Sequence, residues 1–134
     1  MTKSVYKTEL YRNPKIQIKR SPVQGWGMFA NEPLKKYELL EESPIIIVGP
    51  EELANPHNLG RYFASIKDGR VFIGLGFGSL YNHSLTPNVE WYIDGVNLTQ
   101  NYYTLRDIEV GEELFSCYNP NIVFEEQNDN SNIH

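Results

Sequence analysis

Three segments of the chain carry residue types that could do chemistry. Residues 76–89 (GFGSLYNHSLTPNV) run from small and apolar residues straight into a polar loop, in which Asn82 offers an amide and His83 an imidazole. Residues 25–30 (GWGMFA) contain two glycines, where a backbone without Cβ atoms can approach a ligand closely. Residues 111–118 (GEELFSCY) turn into a strand that ends with a thiol and a phenol. These groups suit either a nucleophile with its base or the positioning of a bound ligand.

In this order and at about this spacing, the three segments resemble the motifs of the SET domain, the fold of most protein lysine methyltransferases. The resemblance covers residues 15–124 and is closer to the minimal SET proteins of viruses and bacteria than to the large chromatin enzymes. It implies transfer of a methyl group from S-adenosylmethionine to a lysine side chain of a histone or another basic protein. Such a transfer needs little covalent help, so positioning and electrostatics should supply most of the rate acceleration.

The resemblance places the cofactor site on the first two segments. The main chain around Gln24, Gly25 and Trp26 is expected to hold the amino and carboxylate groups of S-adenosylmethionine. The backbone of Asn82 and His83 is expected to pair with the adenine edge. The cofactor-binding residues implied are Gln24, Gly25, Trp26, Gly27, Tyr81, Asn82, His83 and Phe124, the last of them stacking on adenine. Local pattern alone also allows a purely structural glycine turn and a loop shaped by its own side chains.

Tyr118 is the residue that the resemblance marks as catalytic. An unperturbed tyrosine, with a pKa of about 10, is a poor base at neutral pH, so its hydroxyl is expected to orient the lysine amine while the proton is lost to water. Main-chain oxygens near Gly78 and Tyr81 are expected to accept weak C–H···O contacts from the methyl group. The substrate-binding residues implied are Gly78, Tyr81, Trp91, Ser116 and Tyr118, with aromatic rings along the lysine stem. Because Ser116 stands where many relatives carry an aromatic residue, the number of methyl groups added stays open.

Short strands must position these segments. Alternation of polar and apolar residues and the turn signals between them predict strands at 15–19, 28–30, 39–42, 44–48, 71–73, 89–93, 101–105 and 113–118, of which 44–48 should be buried. The spacing of Leu59, Tyr62, Phe63 and Ile66 predicts one short helix. Residues 67–70 (KDGR) give a hairpin-type turn signal before the strand at 71–73, and the strands at 89–93 and 101–105 are predicted to pair around a turn at Asp94 and Gly95. This pattern favours a mostly β fold with a single core. The resemblance refines it to a β-clip, SET-like fold of several small sheets, with one or two short helices, around a knot-like crossing of the Asn82 segment and the segment that ends at Tyr118.

The chain is long enough for one domain with its own core, at 134 residues. We expect an N-terminal extension at 1–14, a SET domain at 15–124, and a disordered tail at 125–134. The first residues lack a signal-peptide pattern, and no stretch approaches the ~20 apolar residues of a membrane span. The protein is therefore expected inside the cell, in the nucleus or the cytoplasm, without a membrane partner.

The net charge and the cysteine content limit the classes of partner and cofactor that we expect. A net charge of −5 argues against direct binding of nucleic acid and favours a basic peptide. Cys117 is the only cysteine, so no zinc cluster built from several cysteines can form, and no metal is implied. From the resemblance we expect the chain to lack the cysteine-rich, zinc-binding segments that close the lysine channel in many relatives. We expect either a homodimer, with residues 122–124 or 59–66 at the contact, or closure of the tail over the site.

Two other functions fit the residues. A catalytically silent SET fold could bind peptides in the same pocket without transferring a methyl group. A cysteine hydrolase could use Cys117 as the nucleophile and His83 as its base if the two side chains were adjacent. No nucleophile or oxyanion motif surrounds Cys117, which makes the hydrolase the weakest of the three.

Overall fold

The computed structural model describes residues 6–48, 63–65 and 71–117. In these ranges every regular element is a β-strand, which confirms the mostly β fold. The strands are β1 (Ile16–Arg20), β2 (Trp26–Ala30), β3 (Leu39–Val48), β4 (Phe63–Ser65), β5 (Val71–Gly74), β6 (Asn82–His83), β7 (Val89–Asp94), β8 (Thr99–Thr104) and β9 (Glu113–Ser116). Within the same ranges, no helix is long and apolar enough to cross a membrane.

The strands form two small sheets. One has the order β1-β2-β9-β6, and the other has the order β4-β5-β3-β8-β7. Strand β3 is the centre of the larger sheet, because its first half pairs with β8 and its second half with β5. The β7–β8 pair closes where Asp94 faces Thr99, which confirms the hairpin predicted around that turn. All pairs are antiparallel except β6 with β9, which is parallel.

Strand β3 differs from the two shorter strands that the pattern predicts. It runs unbroken through Pro44, whose carbonyl accepts a hydrogen bond from Leu75 N at 2.7 Å. The prediction of a buried strand at 44–48 is wrong at Ile46, whose side chain is 48% exposed while that of Ile45 is 7% exposed. Adjacent side chains of a strand point to opposite faces, and only one face of β3 meets the core here.

The predicted helix is wrong where the structure tests it. Phe63 belongs to β4, which pairs antiparallel with β5 and brings Ser65 opposite Val71. This pairing confirms the hairpin predicted at the same place. The other three residues of the predicted helix, Leu59, Tyr62 and Ile66, lie outside the described residues. A few apolar residues at helical spacing do not separate a helix from a short strand when strand partners are unknown.

A single hydrophobic cluster joins the two sheets, as the one-core prediction requires. It combines residues of β1, β2 and β9 with residues of β3, β5, β7 and β8; its members are Ile16, Met28, Ala30, Leu34, Leu40, Ile45, Phe72, Tyr81, Val89, Trp91, Ile93, Tyr102, Ile108 and Leu114. Because both sheets contribute side chains to this cluster, the loops at their junction are held by one packed interior.

The residues before β1 lie along the edge of β3. Tyr11 N donates to Glu42 Oε1 at 3.0 Å, Glu42 N donates to the Tyr11 carbonyl at 2.9 Å, and Lys7 Nζ pairs with Glu42 Oε2. These contacts cover a strand edge that would otherwise expose unpaired backbone groups. The described part of the predicted N-terminal extension therefore packs against the strands that follow it.

Candidate active site

The chemistry-bearing segments meet at the edge of the smaller sheet. Strand β9 pairs with β2 on one side, where Glu113 lies opposite Phe29. On its other side it pairs in parallel with β6, where Asn82 lies opposite Phe115 and His83 opposite Ser116. This confirms that the Asn82 segment and the segment leading to Tyr118 pack together. Whether one passes through a loop of the other stays a prediction.

Side chains of the polar loop secure this parallel pairing. Asn88 Nδ2 donates to the Glu113 carbonyl at 2.9 Å, and Phe115 N donates to Asn88 Oδ1 at 2.7 Å. Ser84 N donates to the Ser116 carbonyl at 2.9 Å. Parallel strands this short depend on such added bonds, because the ladder itself is only two residue pairs long. The local-bonding alternative for the loop holds at Ser84, whose Oγ accepts from Thr86 N at 3.0 Å, whereas the Asn88 bonds join the loop to β9.

The turn before β2 is built around Ser21 and Gly25. Ser21 N donates to the Gly25 carbonyl at 2.7 Å, and Ser21 Oγ accepts hydrogen bonds from Val23 N and Gln24 N. Gly25 has a φ of +52°, and a Cβ added there would meet nothing within 4 Å. The glycine is therefore required by the left-handed backbone of the turn. Trp26 follows with its ring 53% exposed and the Arg20 guanidinium carbon 4.5 Å from the ring centroid.

A carboxylate that sequence reasoning missed connects the turn to the loop. Glu113 Oε1 accepts from Ser21 Oγ at 2.9 Å, and Glu113 Oε2 accepts from Asn82 Nδ2 at 2.8 Å. Asn82 Nδ2 also donates to the Gln24 carbonyl at 3.2 Å. Glu113 belongs to the Gly-Glu-Glu-Leu pattern that precedes Tyr118, and that pattern indicates no bond from Glu113 to Asn82. In the structure this side chain fixes the orientation of the Asn82 amide.

Gly27 is needed for a reason that differs from the predicted one. We expected its missing Cβ to leave room for a ligand. A Cβ built there would lie 2.3 Å from Glu113 Oε2 and 3.1 Å from Asn82 Nδ2. The space is thus used by the protein's own carboxylate and amide.

The predicted substrate residues fall into two groups. The Gly78 carbonyl accepts a hydrogen bond from the Tyr102 hydroxyl at 2.6 Å, and Ser116 is buried on β9. Tyr81 and Trp91 are 1% and 4% exposed, so both side chains belong to the hydrophobic core. Trp91 packs edge-on against Phe72 with 5.7 Å between ring centroids. The main-chain role of Tyr81 and the channel role of Trp91 stay predictions.

Tyr118 and Phe124 lie outside the described residues, so the catalytic and adenine-stacking assignments stay predictions. The described chain ends one residue before Tyr118, at the half-buried Cys117. His83 is exposed at the end of β6. The pairing of His83 with Ser116 brings the end of the described residues, at Cys117, next to the polar loop.

Comparisons with known proteins agree with this arrangement. Residues 25–119 match a family model described as the SET domain. The chain is 34% identical over 119 residues to a histone-lysine N-methyltransferase of Schizosaccharomyces pombe specific for H3 lysine-37, covering 87% of this chain and 80% of that protein. It is 27% identical to a human H3 lysine-36 specific enzyme, of which it spans only 4%. A crystal structure of a Plasmodium falciparum protein, a candidate histone methyltransferase by its description, has a TM-score of 0.65 and 31% identity, covering 79% of this chain and 94% of that one.

Proposed function

Because the chain belongs to the SET domain family, we propose that it is a protein-lysine N-methyltransferase that uses S-adenosylmethionine. One observation carries the proposal: the family match spans all three segments that the fold brings together, the turn at Gly25, the strand at Asn82 and the strand at Glu113. The relatives named as histone-lysine methyltransferases support the same reaction class.

The groups around Asn82 fit the amino-acid end of this cofactor. The Glu113 carboxylate and the Gln24 carbonyl both accept from Asn82 Nδ2, which directs the amide and leaves its Oδ1 as an acceptor for an ammonium group. Bound S-adenosylmethionine supplies a methyl group on a cationic sulfur, which keeps the bonding electrons when the lysine nitrogen takes the methyl group. Gln24, Gly25, Trp26 and Asn82 would hold it, with His83 and Phe124 toward the adenine.

The chain's own residues would then act by orientation. Main-chain oxygens of Gly78 and Tyr81 would direct the methyl group, and the Tyr118 hydroxyl would direct the amine, whose proton leaves to water. The proposed substrate is a lysine in a basic, histone-like segment, since the net charge of −5 complements such a peptide. The homodimer and the location inside the cell also stay proposals, because no described contact bears on them.

The direct test is label transfer. The purified chain is incubated with S-adenosylmethionine labelled in its methyl group and with a panel of histones and cell lysate. We expect label on lysine of at least one basic protein. A chain that binds the cofactor and peptides but labels no protein would support the silent peptide-binding module instead. Loss of a hydrolytic activity on treatment with iodoacetamide, together with indifference to the cofactor, would support the cysteine hydrolase.

Asn82→Ala is expected to weaken cofactor binding at least about tenfold, because an amide that accepts from an ammonium group contributes about 1.5–3 kcal/mol. Calorimetric titration with S-adenosylmethionine measures this change. The matched control is Asn31→Ala, since the Asn31 amide donates only at 3.3 Å to the Pro14 carbonyl in an exposed part of the chain. Parent affinity in the Asn82 variant would show that this loop does not hold the cofactor.

A further inference from the structure

A buried carboxylate lies under the loop that leads to Asn82. Glu41 is on β3, is 2% exposed, and accepts two hydrogen bonds from that loop. The Tyr81 hydroxyl donates to Glu41 Oε1 at 2.7 Å, and Phe77 N donates to Glu41 Oε2 at 3.2 Å. The two donors flank residues 78–80, so one side chain holds both ends of the segment that presents the Gly78 carbonyl.

These contacts close into a ring, which we call the Glu41 ring: Glu41, Tyr81, Tyr102, Gly78 and Phe77. The ring of Tyr81 stacks on that of Tyr102, with centroids 4.0 Å apart and an interplanar angle of 11°. The Tyr102 hydroxyl donates to the Gly78 carbonyl at 2.6 Å. Gly78 follows Phe77 in the chain, and Phe77 N donates to Glu41 Oε2, which closes the ring. A closed ring fixes the position and direction of the Gly78 carbonyl more tightly than any single contact could.

A contribution to stability does not by itself explain why the Glu41 ring contains an ionisable carboxyl group. Burial raises the pKa of the Glu41 carboxyl above its ordinary value, although the hydrogen bonds from Tyr81 and Phe77 and the charge of Arg12 act to lower it. The Arg12 guanidinium carbon lies 3.9 Å from the centroid of the Phe77 ring, on the outer side of the loop. Burial and the facing carboxylate raise the pKa of Tyr81, so its hydroxyl remains a donor. Burial therefore disfavours the ionised form of this carboxyl, although that form accepts both hydrogen bonds.

We infer that Glu41 is a positioning residue for methyl transfer, which holds the Gly78 carbonyl and the Tyr81 main chain in the geometry that the reaction needs. The inference rests on the proposed function, because those two main-chain groups matter only if a methyl group and an amine are brought to them. Glu41 itself acts through Phe77 and Tyr81.

Glu41→Gln tests this role. The glutamine side chain has nearly the same shape but offers one acceptor oxygen to two donors, so either Phe77 N or the Tyr81 hydroxyl loses its partner. We expect kcat to fall about tenfold while the dissociation constant for S-adenosylmethionine stays within about twofold. The melting temperature at neutral pH should change little, because removal of the buried charge offsets the hydrogen bond that one donor loses. Parent kcat in this variant overturns the inference, as does a loss of kcat that merely accompanies a lower melting temperature.

Two further variants distinguish an effect of the Glu41 ring from a general effect on strand β3. Glu42→Gln is the matched control, because Glu42 is the next residue of β3 and bonds instead to Tyr11 N and Lys7 Nζ. Its kcat should stay within about twofold of the parent, even if its stability falls. Tyr81→Phe removes the hydroxyl and keeps the stack, so it should lower kcat as Glu41→Gln does. The double variant should be no worse than either single one; additive losses would show that the two residues do not act as one ring.

Nuclear magnetic resonance of the bound cofactor, which needs no catalytic turnover, tests the same inference. With S-adenosylmethionine labelled with ¹³C in its methyl group, C–H···O contacts to main-chain oxygens should shift the bound methyl proton signal downfield of the free cofactor. In Glu41→Gln this signal should move back toward the free position while in Glu42→Gln it should not. A parent that binds no cofactor would overturn the proposed function and this inference with it. A parent that binds cofactor with the same methyl signal in both variants would overturn the inference alone.

The pH dependence of stability gives an independent prediction for Glu41. A carboxyl whose pKa is raised by folding binds more protons in the folded chain, so its charge destabilises the fold as pH rises from the ordinary glutamate pKa through the folded-state one. The groups that face it are Arg12, Tyr81 and Tyr102. The unfolding free energy of Glu41→Gln minus that of the parent should therefore increase as pH rises across that window. Denaturation of both proteins at several pH values measures this difference. A difference that shrinks with rising pH would mean that Glu41 is stabilised as the ion.

Discussion

Replacing Tyr118 with phenylalanine is expected to lower kcat by a factor of order 10² or more, a loss of a few kcal/mol of transition-state positioning. Only one hydroxyl is removed, so the fold and most of the affinity for S-adenosylmethionine should remain. In the sequence Tyr118 comes two residues after Ser116, which lies opposite His83. Rates are measured by methyl transfer to the best substrate from the histone panel, and cofactor affinity by calorimetry.

Tyr37→Phe is the matched control for this change. Tyr37 has a 67% exposed side chain in the segment between β2 and β3, so loss of its hydroxyl should leave kcat at the parent value. A Tyr118 variant that turns over at the parent rate would show that the catalytic hydroxyl lies elsewhere. One that loses cofactor affinity in proportion to kcat would assign Tyr118 to cofactor binding.

Local sequence pattern predicts strands such as β7 and β9 well, because their side chains alternate between buried and more exposed positions. The β7–β8 pair was predicted around the turn at Asp94 and Gly95, and the β4–β5 hairpin from the turn signal at 67–70. The pattern failed where burial depends on the rest of the fold. Ile46 looks like a core residue among three isoleucines, yet the larger sheet leaves its face of β3 exposed. Phe63 had helical spacing and lies in a strand, because pairing with β5 decides its conformation.

The candidate site was predicted through motif resemblance for the residues that face ligands, but not for those that hold them. Glu113 looks like an ordinary solvated charge in the sequence, and Glu41 stands where the family often has an acidic residue but fits a solvated strand end equally well. Their partners lie 40 and 31 residues away, at Tyr81 and Asn82. No periodicity connects positions so distant. The parallel pairing of β6 with β9 brings Asn82 to Glu113, and packing of the loop before β6 against β3 brings Tyr81 to Glu41. Carboxylates that bond to distant segments are therefore the part of such a site that a single sequence hides.

The two glycines of the first segment illustrate the same limit. Both were predicted to make room for a ligand. Gly25 is required by its backbone, since its φ is +52° and the space around it is open. Gly27 is required by its surroundings, because the Glu113 carboxylate lies where its Cβ would be. A substitution at Gly27 should therefore act on the contacts of Asn82, an effect that no local pattern indicates.

Gly27→Ala is accordingly expected to weaken S-adenosylmethionine binding by a factor of order 10², more than Asn82→Ala, because two partners of the site are displaced together. A methyl group cannot stand 2.3 Å from Glu113 Oε2, so the carboxylate must move. It then gives up its hydrogen bonds from Ser21 Oγ and Asn82 Nδ2, which frees the turn and the amide at once. Calorimetry measures the affinity, and thermal denaturation measures the accompanying loss of stability, expected at about 1–3 kcal/mol.

A control and a rescue decide how this effect arises. Gly95→Ala should behave as the parent, because a Cβ at Gly95 would meet nothing within 4 Å. The double variant Gly27→Ala/Glu113→Ala relieves the clash, so it should regain part of the lost stability without regaining cofactor affinity, since Asn82 has still lost the carboxylate that orients it. Recovery of affinity along with stability would mean that Glu113 only fills space. Parent affinity in Gly27→Ala alone would show that the carboxylate can move aside without disturbing the site.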